Sequence, residues 1–346
     1  MRTVDVEPLA ASEIGKRPVE VRSRVLGAGM QVPDELITNE YLATVVDTSD
    51  EWIVTRTGMK ERRHVRQDQA ASDLAVPASL EALKRANLTA RELDMIIVAT
   101  VTPDMLFPST SCIIQDRIGA RQIPAFDVSA GCTGAIYALV LADQFIRTGA
   151  CRHVLVVGVE VLSKITNWSD RSTCVLFGDA AGAVVVGPCS DGAHGMLASH
   201  LASNGADGDT LYMPAGGSRM PATADTVKQH LHTLHMRGNE VFKPAVNTMV
   251  ESTQMLIQRA HLTANDVDLF IFHQANLRII EAVSKRLGVP EEKVFVNIHK
   301  YGNTSSASTM VAIHEALAQG RIRPGSRVIQ VAFGAGLTWG GILWSW

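Results

Sequence analysis

Residues 85–97 read RANLTARELDMII and residues 259–271 read RAHLTANDVDLFI. Arg, Ala, Leu, Thr, Ala, Asp and Ile recur at the same places. Each copy is the end of a helix, a Leu-Thr-Ala segment with acids behind it, and then a buried β-branched strand. The echo continues downstream. Phe126-Asp127-Val128 leads into Gly131-Cys132-Thr133, and Val296-Asn297-Ile298 leads into Gly302-Asn303-Thr304. Apolar helical patterns follow both, and each stops at a glycine, Gly149 or Gly320, the residue suited to a left-handed helix cap. A strand comes next in each half, at 153–161 and 327–333. A repeat this long is a duplicated domain, since solenoid periods are about 20–50 residues.

Strands alternating with helices of this length predict two mixed α/β halves in layers, with largely parallel sheets. The expected units are an extension over 1–21, an N-terminal half over 22–190 and a C-terminal half over 191–346. The Gly-, Ser- and Asp-rich stretch 191–235 reads as strand plus loops at the junction.

Composition narrows the function. Of 346 residues, 46% are apolar and 19% charged, which excludes a disordered or coiled-coil chain. The net charge is −3 and no basic run occurs, so nucleic acid is not an expected partner. No apolar run reaches the ~20 residues of a membrane helix, and the first 20 residues lack the apolar core of a secretory signal. The five cysteines are scattered and never form a CxxC pair, which fits reduced thiols in a cytoplasmic protein.

Cys132 lies in DVSAGCTGAIYALV, where a β-run ends, small residues turn sharply and an apolar helix starts. A thiol there faces free N–H groups and the positive end of the helix dipole, which favours the thiolate. A buried packing cysteine is the plainer alternative, and Cys112, Cys151, Cys174 and Cys189 are read that way. His273 ends the strand pattern VDLFIFHQAN, pointing to the crevice at the strand ends; a satisfied core histidine is its alternative. Asn303 starts the second-half helix at the position echoing Cys132, where asparagine often serves only as an N-cap. Pseudo-symmetry places Cys132 and Asn303 at matching helix starts facing one another, with His273 from the adjoining strand. The Gly334-Ala335-Gly336 turn could offer N–H groups to an oxyanion. His230, His232 and His235 lie in a polar stretch without a nearby Cys or acid cluster and are read as solvated, so no metal site is expected.

With these residues in hand, the chain resembles the thiolase-fold condensing enzymes, specifically the β-ketoacyl-acyl-carrier-protein synthase III family, which implies a duplicated thiolase-like fold of two pseudo-equivalent α/β halves packed in layers (α-β-α-β-α). The likeness rests on SDEWIVTRTGMKERR, SAGCTGA, DRSTCVLFGDAAGA, GNEVFK, FHQANLRII, KYGNTSSAS and FGAGLTWGG, in that order. It implies a catalytic set of Cys132, His273 and Asn303, with the N–H groups of Cys132 and Ala335 as oxyanion hole; Ala335 stands where family members often have glycine. It further implies coenzyme A contacts at Trp52, Arg56, Arg171, Gly238 and Asn276. An acyl pocket would be bounded by Phe177 and by Phe107 inserted from a partner subunit. A patch for acidic acyl carrier protein would comprise Lys243, Gln274, Ala275, Asn276, Leu277, Arg278 and Lys285. The implied reaction is condensation of a short acyl-CoA with malonyl-acyl-carrier protein through an acyl-cysteine, by a homodimer needing no cofactor.

Papain-like proteases share the chain order Cys, His, Asn, but the CGSCW surroundings are missing and the duplication is foreign to them. The Asn303 motif and FHQAN argue against hydroxymethylglutaryl-CoA synthases and thiolases. A synthase III-like enzyme of a secondary-metabolite pathway, loading other acyl groups or accepting malonyl-CoA directly, stays open. A non-catalytic binding module would leave Cys132 without an acyl adduct.

Overall fold

A computed structural model describes residues 21–189, 191 and 193–346. The expected extension over 1–21 lies outside the described residues except for Val21. Nine strands form the two main sheets. The first contains β1 (Arg22–Gln31), β2 (Met95–Ala99), β3 (Ala125–Val128), β4 (Val154–Val161) and β5 (Asp179–Cys189), in the order β1-β5-β4-β2-β3. The second contains β6 (Gly195–Ser203), β7 (Leu269–Phe272), β8 (Arg327–Gly334) and β9 (Thr338–Ser345), in the order β7-β8-β9-β6. Read from opposite ends, the orders correspond. The fifth position recurs too, because Val294 makes a parallel bridge to Phe270, as β3 does to β2.

The sheets are mixed, not largely parallel. In the first, β2 pairs in parallel with β3 and β4, while β5 is antiparallel to both β1 and β4. In the second only β7 and β8 run parallel. The reason is local. After β4, and again after β8, the chain returns without a crossover helix, and a direct return makes an antiparallel neighbour. Period-2 and buried-run patterns carry no strand direction, so this was invisible in the sequence.

Two helices, α2 (Gly134–Arg147) and α5 (Ser308–Ala318), lie between the sheets. One apolar cluster joins Ala135, Ile136 and Leu139 of α2 with Met310 and Ile313 of α5, and with residues of both sheets. Both are buried on most sides, as a helix clasped by two apolar faces must be. Outside the first sheet lies α1 (Ala71–Arg85), whose Leu74, Ala75, Ala78 and Ala82 pack with β4 and β5. Outside the second lie α3 (Gly238–Arg259) and α4 (Leu277–Leu287), burying Met249 and Ile280 with β7, β8 and β9. The layers are α-β-α-β-α.

The echo at 85–97 and 259–271 reaches individual torsions. Asn87 and His261 both adopt φ of 55°, closing the preceding helix in a left-handed residue. Thr89 then donates N–H and hydroxyl to Glu92 at 2.8 and 2.9 Å, as Thr263 does to Asp266 at 2.8 and 2.6 Å. Gly149 and Gly320 adopt φ of 76° and 66° after α2 and α5. Within 191–235 the described residues form β6, a turn, a two-stranded ribbon pairing 211–212 with 235–236, and a short helix. No helix among the described residues is long and apolar enough to cross a membrane.

Candidate active site

β3 runs into the turn Gly131–Thr133, which leads directly into α2. Gly131 has φ of 55°, and a Cβ there would stand 2.8 Å from the Ala335 nitrogen, so only glycine lets the two loops meet. The loops are tied by hydroxyls: Thr338 donates to the Ala130 carbonyl at 2.8 Å and Thr133 to the Thr338 carbonyl at 3.1 Å. Cys132 is thereby fixed at the seam of the halves, where it and Ala335 line the same apolar cavity.

His273 and Asn303 reach Cys132 from the second half. His273 directly follows β7, and its N–H donates to the Val331 carbonyl of β8 at 2.8 Å. Asn303 is held by main-chain bonds, donating to Leu176 at 2.8 Å and accepting from Gly178 at 3.0 Å. All three side chains line one cavity of about 460 Å³.

Two hydrogen bonds orient the polar groups. The Ser305 N–H donates to Asn303 Oδ1 at 2.9 Å, which fixes the amide so that Nδ2 remains a donor. Ser308 Oγ lies 2.6 Å from His273 Nδ1. Burial lowers the His273 pKa to about 3, so the ring is neutral. A neutral ring accepting the Ser308 proton at Nδ1 carries its own proton on Nε2. With Ser308 as the donor to Nδ1, the site presents two neutral donors, His273 Nε2–H and Asn303 Nδ2–H.

The thiol departs from expectation. Burial and the nearby Glu160 carboxylate push Cys132 up to about 11, against the lowering effect of the Ser305 hydroxyl and of the Cys132 and Ala335 N–H groups. The helix start does not by itself make a thiolate, because desolvation outweighs it.

From Cys132 the large cavity extends to exposed Arg56, Gly238 and Arg278, with Asn276 on its wall. Asn276 caps α4, accepting from the Arg278 N–H at 2.9 Å, and its Nδ2 donates to the Arg56 carbonyl at 3.1 Å. The guanidinium groups of Arg56 and Arg171 lie 4.7 and 4.8 Å from the centre of the Trp52 ring. A second cavity, of about 150 Å³, opens from Cys132 between Val101, Leu162, Ile165, Met213 and Leu234. Buried Phe177 lines both cavities.

Some assignments differ from the sequence reading. Gln274 is 1% exposed and cannot offer a surface contact. Its amide donates to the Phe272 and Phe295 carbonyls at 2.7 and 3.2 Å and accepts from the Asn297 and Ile298 N–H groups at 3.0 and 3.1 Å, locking the turn after β7. Ala275 and Leu277 are half-buried, whereas Lys243, Arg278 and Lys285 are exposed. Phe107 is 83% exposed and lines neither Cys132 cavity of its own chain. Cys112 is exposed, not packed, while Cys151, Cys174 and Cys189 are buried. Among the three histidines, His232 bonds Thr226 Oγ1 at 2.9 Å and His235 bonds the His230 carbonyl at 3.2 Å.

Ser305, Ser308 and Glu160 escaped sequence reasoning, as did Arg62, which is fully buried and donates to Asn39 Oδ1 at 2.7 Å and the Val175 carbonyl at 2.6 Å. The run of hydroxyls in NTSSAS was the one available signal for the two serines.

Known proteins are similar to this chain along nearly its whole length. The family described as 3-oxoacyl-[acyl-carrier-protein (ACP)] synthase III matches residues 126–205, and its C-terminal counterpart matches 257–346. The chain is 55% identical to beta-ketoacyl-[acyl-carrier-protein] synthase III of Caldanaerobacter subterraneus, over 94% of this chain and 98% of that one. It is 53% identical to the protein of that name from Symbiobacterium thermophilum, over 93% and 97%. The crystal structure of 3-oxoacyl-[acyl-carrier-protein] synthase III from Aquifex aeolicus superposes with a TM-score of 0.87 at 44% identity, covering 94% of this chain and all of that one. With such identity along nearly its whole length, the chain belongs to the β-ketoacyl-[acyl-carrier-protein] synthase III family.

Proposed function

We propose that this protein initiates fatty acid synthesis by joining a short acyl-CoA, acetyl-CoA above all, to malonyl-acyl-carrier protein with loss of carbon dioxide. The observation that carries the reading is the meeting of Cys132, His273 and Asn303 in one cavity, the last two oriented as neutral donors. Cys132 attacks the acyl-CoA thioester, the N–H groups of Cys132 and Ala335 hold the oxyanion, and the coenzyme leaves as a thiol. Malonyl-acyl-carrier protein then takes its place. His273 Nε2–H and Asn303 Nδ2–H donate to its thioester oxygen as charge develops there, carbon dioxide departs, and the carbanion attacks the acyl-cysteine. Neutral donors suit this step, because they stabilise a forming enolate without a proton being lost.

The large cavity takes the pantetheine arm past Gly238 and Asn276, with Trp52 and Arg171 flanking the adenine and Arg56 near the phosphates. The apolar pocket of about 150 Å³ suits a short primer. Lys243, Arg278 and Lys285 present the basic face for an acidic carrier protein, with Ala275, Asn276 and Leu277 beside it. The halves act as domains over 22–190 and 191–346, in a cytoplasmic homodimer that needs no cofactor. Curated relatives at 55% and 53% identity carry the synthase III name, which favours this reading over the secondary-metabolite alternative.

Incubation with acetyl-CoA and longer acyl-CoAs, followed by mass measurement of the intact protein and the Cys132 peptide, tests this. A stoichiometric adduct on Cys132, discharged by malonyl-acyl-carrier protein, is expected. No adduct with any acyl-CoA, despite an alkylatable Cys132, overturns it. Loading of a twelve-carbon acyl group as fast as acetyl overturns the short primer.

A further inference from the structure

The resting thiol holds a proton that must go somewhere when Cys132 attacks, and the structure holds a group the reaction above does not use. Glu160, on β4, is 0% exposed behind the nucleophile. Its Oε1 lies 3.1 Å from Ser305 Oγ and 2.9 Å from Ser306 Oγ, and its Oε2 lies 2.7 Å from Thr102 Oγ1 and 3.1 Å from the Val101 nitrogen. Ser305 lines the apolar cavity with Cys132, and its hydroxyl is near enough to hold the thiol below where burial alone would put it. Ser305 has φ of 46°, a left-handed conformation that non-glycine residues rarely keep without cause, and in it the hydroxyl donates to Glu160 Oε1.

We propose that Glu160 takes up the Cys132 proton through the Ser305 hydroxyl, stores it while the acyl-enzyme exists, and returns it when the thiolate is expelled. In the first half-reaction the Cys132 S–H bond breaks, Sγ bonds the acyl carbon, and the bond from that carbon to coenzyme A breaks. The thiol proton passes to Ser305 Oγ, whose own proton passes to Glu160 Oε1, and the coenzyme thiolate takes a proton from water. In the second, the carbanion left by decarboxylation bonds the acyl carbon and the C–Sγ bond breaks. Sγ then regains a proton from Ser305, and Ser305 from Glu160. One solvent proton is consumed per turnover and nothing is oxidised or reduced.

The network suits both charge states. Ser306 Oγ is 2.9 Å from Glu160 Oε1 and also 2.9 Å from the Ala99 carbonyl, yet has a single proton. It donates to the carboxylate when Glu160 is charged and turns to Ala99 when Glu160 is protonated. Only hydrogens move. Burial pushes the Glu160 carboxyl up, against the lowering effect of its Thr102, Ser306, Val101 and Ser305 partners, which suits a proton acceptor, and its charge in turn raises the Cys132 thiol.

Glu160 acts through Ser305 and touches no substrate, and its role rests on the acyl-CoA reading above. Glu160→Gln, Glu160→Asp and Ser305→Ala are compared with the unaltered enzyme for the rate of Cys132 acylation by acetyl-CoA at neutral pH, and for iodoacetamide alkylation against pH. Acylation falls at least about ten-fold in Glu160→Gln and Ser305→Ala and is partly restored in Glu160→Asp. The alkylation midpoint moves to lower pH in Glu160→Gln, because a repelling charge has gone. Opposite responses of the two reactions mark a proton store, since a merely structural defect would not make the thiol easier to ionise. Acylation at or above the unaltered rate in Glu160→Gln overturns the proposal. If that variant does not fold, unaltered acylation in Ser305→Ala, which leaves the carboxylate in place, overturns it equally. Absence of any adduct on the unaltered enzyme would instead overturn the acyl-CoA reading.

Discussion

Ser308 shows how a residue outside the reacting set decides what that set can do. Its hydroxyl lies 2.6 Å from His273 Nδ1, and donating there it leaves the ring proton on Nε2, the nitrogen free for the substrate. Ser308→Ala leaves the ring free to take the other tautomer, so malonyl-carrier-protein decarboxylation should fall by about ten-fold or more, in kcat and not in KM. Ser308→Thr, which keeps the hydroxyl, should restore part of it. The pH profile provides a second readout. Burial holds His273 far below its ordinary value, to about 3, so the neutral donor persists as pH falls through 6.5. Because the folded value lies below the unfolded one, acid protonation favours the unfolded chain, and any loss should coincide with loss of fold. A reversible rate limb near pH 6.5 in folded enzyme would refute the neutral-ring mechanism. The meeting of Cys132, His273 and Asn303 in one cavity was legible because each ends a strand or starts a helix in a recognisable pattern. Ser305, Ser308 and Glu160 were not, because their contacts join residues far apart in the chain. Gln274 was misread for the same reason: three of its four partners lie together at 295–298, 21 to 24 residues along the chain, and only the fold turns its amide inward.

At the scale of elements, the duplication supplies an internal control. Thr89–Glu92 and Thr263–Asp266 are the same device in two halves, and each pins the start of a buried strand by donating N–H and hydroxyl to one carboxylate. Both lie at the surface and share no partner. Thr89→Ala and Thr263→Ala should each cost about 1 kcal/mol, and the double variant should lose about the sum. Urea or thermal unfolding of the three variants measures this, and an effect in one half alone would show that the copies have diverged in use. The order of helices and strands could be read from the sequence because caps, left-handed residues and apolar periods are local. Strand direction could not, since β5 and β9 look the same to a periodicity whether they return directly or by crossover.

At the scale of the molecule, the two sheets bury α2 and α5 between them, and the residues proposed to react line a cavity where the halves meet. The outer surface is different at one place. Met105, Leu106 and Phe107 are 50%, 82% and 83% exposed in sequence, three large apolar side chains side by side. A soluble chain rarely leaves such a cluster to water unless something covers it. A second copy fits the proposed homodimer, in which Phe107 of one protomer reaches the acyl pocket of the other. Substituting both Leu106 and Phe107 with Ser removes most of the apolar area without touching any residue that lines the Cys132 cavities of the same chain. The double variant should sediment as a monomer at concentrations where the unaltered protein is a dimer, keep its secondary structure, and admit longer acyl groups onto Cys132. Sedimentation as a monomer by the unaltered protein at about micromolar concentration would refute the dimer. A dimeric double variant would place the interface elsewhere. Unchanged acyl selectivity in a monomeric variant would separate dimer formation from pocket closure, leaving the pocket's length to Met213, Leu234 and their neighbours within one chain.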